Sequence, residues 1–439
     1  MAPIDGRGLP ITTSSGEAAA LYREGVDLLL SAWPGAVETL RRAVEADPGF
    51  ALAHAALARA HAVRAEPQDA RRHIAQAVEL AQVNGTERER SHVEALSLAI
   101  GGQGARALDR VLTHLDTWPR DVVIFGLPLG AFGLFAFSGM AGHDQARVDL
   151  CERHAAQFSD EDWWFLTYRG WSQAENGAVA LGRDLAERGF ALRPANANGA
   201  HAVSHAMFEE GSGAAAEAFI EDWLPSYDRS GVLHGHIAWH QALAALERGD
   251  AARALSIYDG YVQPAASTGL PINIVTDTVS FLWRMAAYGH GVPAELWRQA
   301  ADYAEEKFPT PGQAFIDVHL GLAQAATGRT GLLQQRIDDT TRLVEAGTLA
   351  AGPVVPGMCR AALAFAEERY ATCVAILEPL ASEVLRIGGS GAQREVFHDT
   401  LLVALMRSGE TEKARRLLDQ RLHRRPSPRD SAWMRSLAA

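Results

Sequence analysis

The sequence predicts an all-α fold, a curved solenoid of repeated helix pairs that runs through residues 1–439 as a single unit. Three observations carry that expectation. Alanine-rich stretches with 3.6-residue periodicity recur almost from end to end, and sustained β-type alternation is missing. The stretch AVETLRRAVEADPGFALAHAALARAHAVRA, residues 36–65, reads as one complete helix–turn–helix unit. At 439 residues the chain is too long for one ordinary core, so an extended array suits it.

In that unit one helix ends near Ala46, Asp47-Pro48-Gly49 makes the turn, and a second helix starts near Phe50. Pro48 stops the first helix, and regularly spaced alanines let the pair pack closely. This is the tetratricopeptide pattern, whose repeat is about 34 residues. Weaker copies follow in GARALDRVLTHLDTWPRDVVIFGL, ALERGDAARALSIYDGYV, AALAFAEERYATCVAILEPL and LMRSGETEKARRLLDQRLHRRPSP. No long Gly/Ser/Pro linker divides them, so one tetratricopeptide-like helical-repeat solenoid is expected. Residues 1–15 read as an N-terminal extended segment and 424–439 as a C-terminal cap. SSGE near residue 15 reads as a capping box, and TERERSH, residues 86–92, as a solvated helix start.

Composition excludes several classes. The net charge of −12 disfavours a nucleic-acid binder, which needs a basic surface to release counterions. No window approaches eighteen uninterrupted apolar residues, so no membrane span is expected. The N-terminus lacks the basic start and apolar core of a signal peptide, and Cys151, Cys359 and Cys373 form no CxxC, so a reducing cytoplasm is expected. Lys307 and Lys413 are the only lysines, which leaves few Schiff-base amines. GxxxxGKS/T and GxSxG are absent, and the glycines of GGQGARAL and GLPLGAFG follow no strand, so no nucleotide cofactor is expected.

Two histidine pairs stand out: HAVSH, with His201 and His205, and HIAWH, with His236 and His240. HxxxH on a helix puts both rings on one face. The pairs are 236 − 201 = 35 residues apart, close to one repeat, so they should look into one groove from adjacent helices. Asp277 lies 41 residues beyond His236, and Asp317 and His319 lie 40 and 42 beyond Asp277. Three readings stand open for this cluster. The rings are satisfied core or groove residues, bonded to backbone or to Asp277 and Asp317. They are acid–base or substrate-binding groups, kept neutral by crowding. Or they hold zinc, iron or copper, although HxxxH lacks the glutamate of the HExxH signature.

GGSGAQREVF, residues 388–397, puts a glycine turn before a helix with Ser390 and Gln393 spaced as a capping box. The free amides there, with Arg394, would hold a carboxylate or phosphate; alternatively the turn is only a left-handed cap, and Arg394 bridges to a neighbouring helix.

Together these segments resemble the tetratricopeptide repeat protein 38 family. The resemblance begins at LPITTSSGEA and resumes at HAVSH. It then runs through HIAWHQALAALERGD with SIYDG, DTVSFLWRM and FIDVH, and finishes at GGSGAQREVF. Both histidine pairs, Asp259, Asp277, Asp317, His319, Gln393 and Arg394 fall on its motif positions. Two positions depart: Phe208 stands where the family has a glutamate, with Glu209 following, and Glu395 replaces an aspartate. The family name implies a fold and no general reaction.

The functional expectation is a His/Asp-lined concave pocket that binds a small polar or anionic molecule, in an enzyme using acid–base or metal-assisted hydrolysis, elimination or isomerisation. His201, His205, His236, His240, Asp277, Asp317 and His319 are the catalytic candidates, the first four also the metal candidates. Gln393, Arg394, Trp239 and Asp259 are the substrate-binding candidates. The alternative is a non-catalytic scaffold whose groove holds a peptide from a partner protein.

Overall fold

The computed structural model describes residues 3–437, and every regular element among them is helical apart from one isolated bridge between Ile4 and Pro10. The chain is a tetratricopeptide-like helical solenoid. The unit read from residues 36–65 forms as Ala36–Ala46 and Ala51–Val63, and Gly25 of the preceding Gly16–Leu30 helix is where it packs closest. A Cβ there would sit 2.6 Å from Leu40 Cγ.

Other units depart from the expectation. GARALDRVLTHLDTW forms Gly104–Thr117, but its partner shrinks to one turn, Val122–Phe125, because Gly126, Pro128 and Gly130 follow at once. SSGE is not a capping box. Ser15 rather than Ser14 is the N-cap, accepting from the Ala18 amide, so Glu17 sits one place too early. TERERSH does cap its helix, through Thr86 and Glu89, but it is not solvated. Arg88, Glu89, Ser91 and His92 are buried, because the N-terminal segment lies across them: Arg88 donates to Pro10 O at 2.7 Å and the Thr12 amide to Glu89 at 2.7 Å.

The core is two large apolar clusters, residues 11–165 and 197–418, joined by a small one around Trp171, Val203 and Met207. From Trp163 onward the first helix of each pair lies inside. All 14 residues of His234–Glu247 are buried. The concave side is therefore filled rather than an open groove, which corrects the expected pocket. Long-range contacts show why. The Gly389 amide donates to Ala131 O at 3.1 Å and His143 Nε2 lies 3.0 Å from Leu385 O. Arg424 donates to Glu209 at 2.6 Å, Arg425 to Glu247 at 2.8 Å, and Tyr227 Oη to Ala32 O at 2.6 Å. The superhelix closes on itself.

Candidate metal centre

Two inner helices, Ala197–Glu209 and His234–Glu247, carry the histidine pairs at the same phase of consecutive repeats. Asn196 caps the first, accepting from the Gly199 amide at 3.0 Å. The structure brings all four rings together: one ligating atom from each lies within 4.8 Å of the other three. His201 Nε2 is 3.1 Å from His236 Nε2 and 3.2 Å from His240 Nε2. The His205 ring packs 4.4 Å from both His201 and His240, centroid to centroid.

Two rings are backed by carboxylates. His236 Nδ1 lies 2.8 Å from Asp277 Oδ2, and His205 Nδ1 lies 2.8 Å from Glu175 Oε1. An ionised carboxylate only accepts, so each Nδ1 carries a proton and turns its Nε2 away from the carboxylate. His236 Nε2 faces His201. A single proton on His201 Nε2 cannot satisfy both of its Nε2 neighbours, and His205 Nε2 is buried with no hydrogen-bond partner among the described residues. Burial first, then the neighbouring imidazoles, holds His201 and His240 well below the ordinary histidine range, so both stay neutral. Imidazole nitrogens converging on one point are the donor set a metal ion needs. Two of the separations, 3.1 and 3.2 Å from His201, are close to the roughly 3.3 Å between ligands of a tetrahedral ion with bonds of about 2.05 Å, within a set that spans up to 4.8 Å.

The carboxylates are themselves held. Burial alone would raise the Glu175 carboxyl, but His205, Arg394 and the Gly391 amide outweigh it and hold it below the usual range. The Gly391 amide donates to Glu175 Oε2 at 2.7 Å. The glycine turn allows this, since Gly388 and Gly389 take φ of +87° and +79°. The helix start at Gly391 thus holds a carboxylate, the protein's own. Burial raises Asp277, with His236 opposing. Gln393 opposes it too from nearby, although Gln393 Nε2 and Asp277 Oδ1 each lack a hydrogen-bond partner among the described residues. Ser390 and Gln393 form the capping box. Trp239 is buried and stacks on His236 at 5.4 Å.

Other candidates lie elsewhere. Asp317 orients no imidazole; it takes Arg336 and the Gly312 amide, the latter at 2.8 Å. His319 points among Phe315 and Phe397 and hydrogen-bonds Phe315 O through Nδ1 at 2.7 Å. Asp259 is exposed on the π-helical turn Tyr258–Val262. Arg394 is committed to Gly389 O and to Asp144 Oδ2, the latter at 2.9 Å, so it bridges helices rather than waiting for an anion. Phe208 lies under Arg425, 4.1 Å from the guanidinium carbon, while Glu209 turns toward Arg424. Sequence reasoning missed Glu175. The available signal was spacing: Glu175 precedes His205 by 30 residues, roughly one repeat.

His319 gives a pH test independent of the cluster. Burial pushes its imidazole down to about 4. The unfolded chain takes a proton near pH 6.5 that the folded ring refuses until about 4, so stability is lost as pH falls through that window. Between pH 7 and 5 His319 should account for about 2 kcal/mol of lost stability. Urea unfolding at both pH values checks this: His319→Gln should show the smaller fall, and equal falls would refute it.

No protein-family model matches the chain. Among solved structures, a human IFIT1 dimer with m7Gppp-AAAA aligns at 12% identity, covering 96% of this chain and 76% of that one, with a TM-score of 0.31. The P58(IPK) TPR domain aligns at 12% identity over 92% of this chain and 99% of its own, with a TM-score of 0.21. Such scores carry no functional argument, and the repeat architecture rests on the helix pairs themselves.

Proposed function

We propose that this chain is a cytoplasmic helical-repeat metalloprotein in which His201, His205, His236 and His240 hold one divalent transition ion, zinc, iron or copper. Membership of the tetratricopeptide repeat protein 38 family, suggested by the motifs, belongs to the same proposal. One observation carries it: four imidazoles from two helices converge within 4.8 Å. Two of them are hydrogen-bonded on the far nitrogen to buried carboxylates, the arrangement that fixes metal-ligating histidines elsewhere. Zinc would find its tetrahedron complete and act structurally. An octahedral ion would keep two positions for a small polar substrate, the footing for metal-assisted hydrolysis, elimination or isomerisation.

Acid–base use of the same rings has less support, because their Nε2 atoms face one another. A peptide scaffold has less support on this face, because the inner helices are buried. For the cytoplasm, the three cysteines are free and buried, with burial pushing each thiol up to about 12. Among the described residues no helix is long and apolar enough to cross a membrane.

Elemental analysis of protein purified without chelator tests the reading. About one metal per chain is expected in the wild type and none in His205→Ala/His240→Ala. Wild-type protein that arrives empty and takes up neither zinc nor cobalt on titration would overturn it.

A further inference from the structure

A second feature is independent of any metal. A cavity of about 520 Å³, within the range of small-molecule sites, lies beside Glu175 and is not lined by the four histidines. It is walled by the ends of the inner helices that carry Glu175 and Glu209, by the start of the Gly391–Arg407 helix, and by Arg421 and Arg424 from Thr411–Arg424. Both charge signs line it in near balance, five carboxylates against four guanidiniums.

Most of these charges already have close partners. Glu175 uses both oxygens, on His205 and the Gly391 amide. Glu395 is held by Arg421 at 3.0 Å and by Arg425 at 2.8 and 2.9 Å. The exception is Glu209 with Arg424. They share one contact of 2.6 Å, and the Glu209 side chain is 3% exposed while that of Arg424 is 60% exposed. Glu209 is thus a buried carboxylate served by one loosely held cation. Burial, and then the nearby Glu175, raises its pKa against the pull of Arg424. Among the described residues Arg424 makes no other hydrogen bond, and it lines the cavity.

We infer that this cavity binds a zwitterionic small molecule of the amino-acid or short-peptide class, whose ammonium meets Glu209 and whose carboxylate meets Arg424. A polyanion would face five carboxylates and a polycation four guanidiniums, so each is opposed by half the wall. A zwitterion exchanges one internal ion pair for two and leaves the charge balance unchanged. His398, whose ring burial pushes down to about 4, is neutral near pH 7 and, with Gln420, offers uncharged polar contacts beside it.

Calorimetric titration of the full chain with the proteinogenic amino acids and their glycyl dipeptides tests this, with inorganic phosphate and spermidine as single-sign probes. At least one zwitterion should bind. Its affinity should fall about tenfold or more when its amine is acetylated, when its carboxylate is amidated, and in Arg424→Gln whose cooperative melting shows it folded. Glu209→Gln should weaken the free-amine ligand and spare the acetylated one. Overturning results are no binding by any zwitterion, equal or tighter binding of phosphate or spermidine, or an unchanged affinity in Arg424→Gln. None of them bears on metal content, so the two proposals fail separately.

Discussion

Asp399→Ala is expected to lower stability by about 3–5 kcal/mol, the cost of leaving buried charges without their counter-ion. The Asp399 side chain is 1% exposed and lies against Arg284, Arg421 and Arg429 at 3.3, 2.8 and 3.4 Å, with Tyr288 Oη donating at 2.6 Å. Burial alone would raise its carboxyl, but Arg429 and Arg421 outweigh it and hold it below the usual range. Without Asp399, Arg284 keeps among the described residues only its bond to Ala392 O, at 2.6 Å, in a fully buried site. The damage should spread, because Arg429 and Arg421 tie the last helices to the body and Arg284 lies 5.8 Å over Trp239, the ring that backs His236. Asp399→Asn should fall between alanine and wild type, since an amide still accepts but brings no charge. Chemical denaturation reads all three proteins, and an alanine variant within about 1 kcal/mol of wild type would show that the guanidiniums find other partners.

The same network shows where sequence reasoning stops. Phase within a repeat correctly placed His201, His205, His236, His240 and Asp277, because a spacing of one repeat returns a side chain to the same face of the next inner helix. It failed for Asp317, whose step of 40 residues also keeps phase. Arg336, on the following outer helix, claims that carboxylate, and inner-helix spacing says nothing about outer-helix residues. His319 is two residues further, about 200° around the helix, so it could not share a face with Asp317. Glu175 lay one repeat upstream of the region that the histidines drew attention to. TERERSH looked solvated because all seven of its residues are polar or charged in sequence; its burial depends on Pro10 and Thr12, which only the folded chain brings near. Closure of the superhelix is of the same kind. It rests on contacts such as Gly389 with Ala131, which no local pattern encodes.

Glu175→Gln and Asp277→Asn should each weaken metal binding by about 10–100-fold, and they should differ from one another in an informative way. Asp277 uses Oδ2 on His236, while Oδ1 has no partner among the described residues. Asparagine can keep its oxygen on His236, holding the ring's orientation and removing only the charge. A buried carboxylate raised by burial is also relieved, so the metal-free Asp277→Asn protein should melt no lower than wild type while binding metal more weakly. Glutamine at 175 has no such freedom. One carboxylate oxygen faces His205 and the other the Gly391 amide at 2.7 Å, so the new amide must oppose an N–H on one side or the other. Glu175→Gln should therefore lose both metal affinity, toward the upper end of the range, and thermal stability of the metal-free chain. Competition against a chromophoric zinc chelator, paired with melting curves of the metal-free proteins, separates the two effects. Affinities within about twofold of wild type for both variants would mean that these carboxylates hold rings in a core and tune no metal.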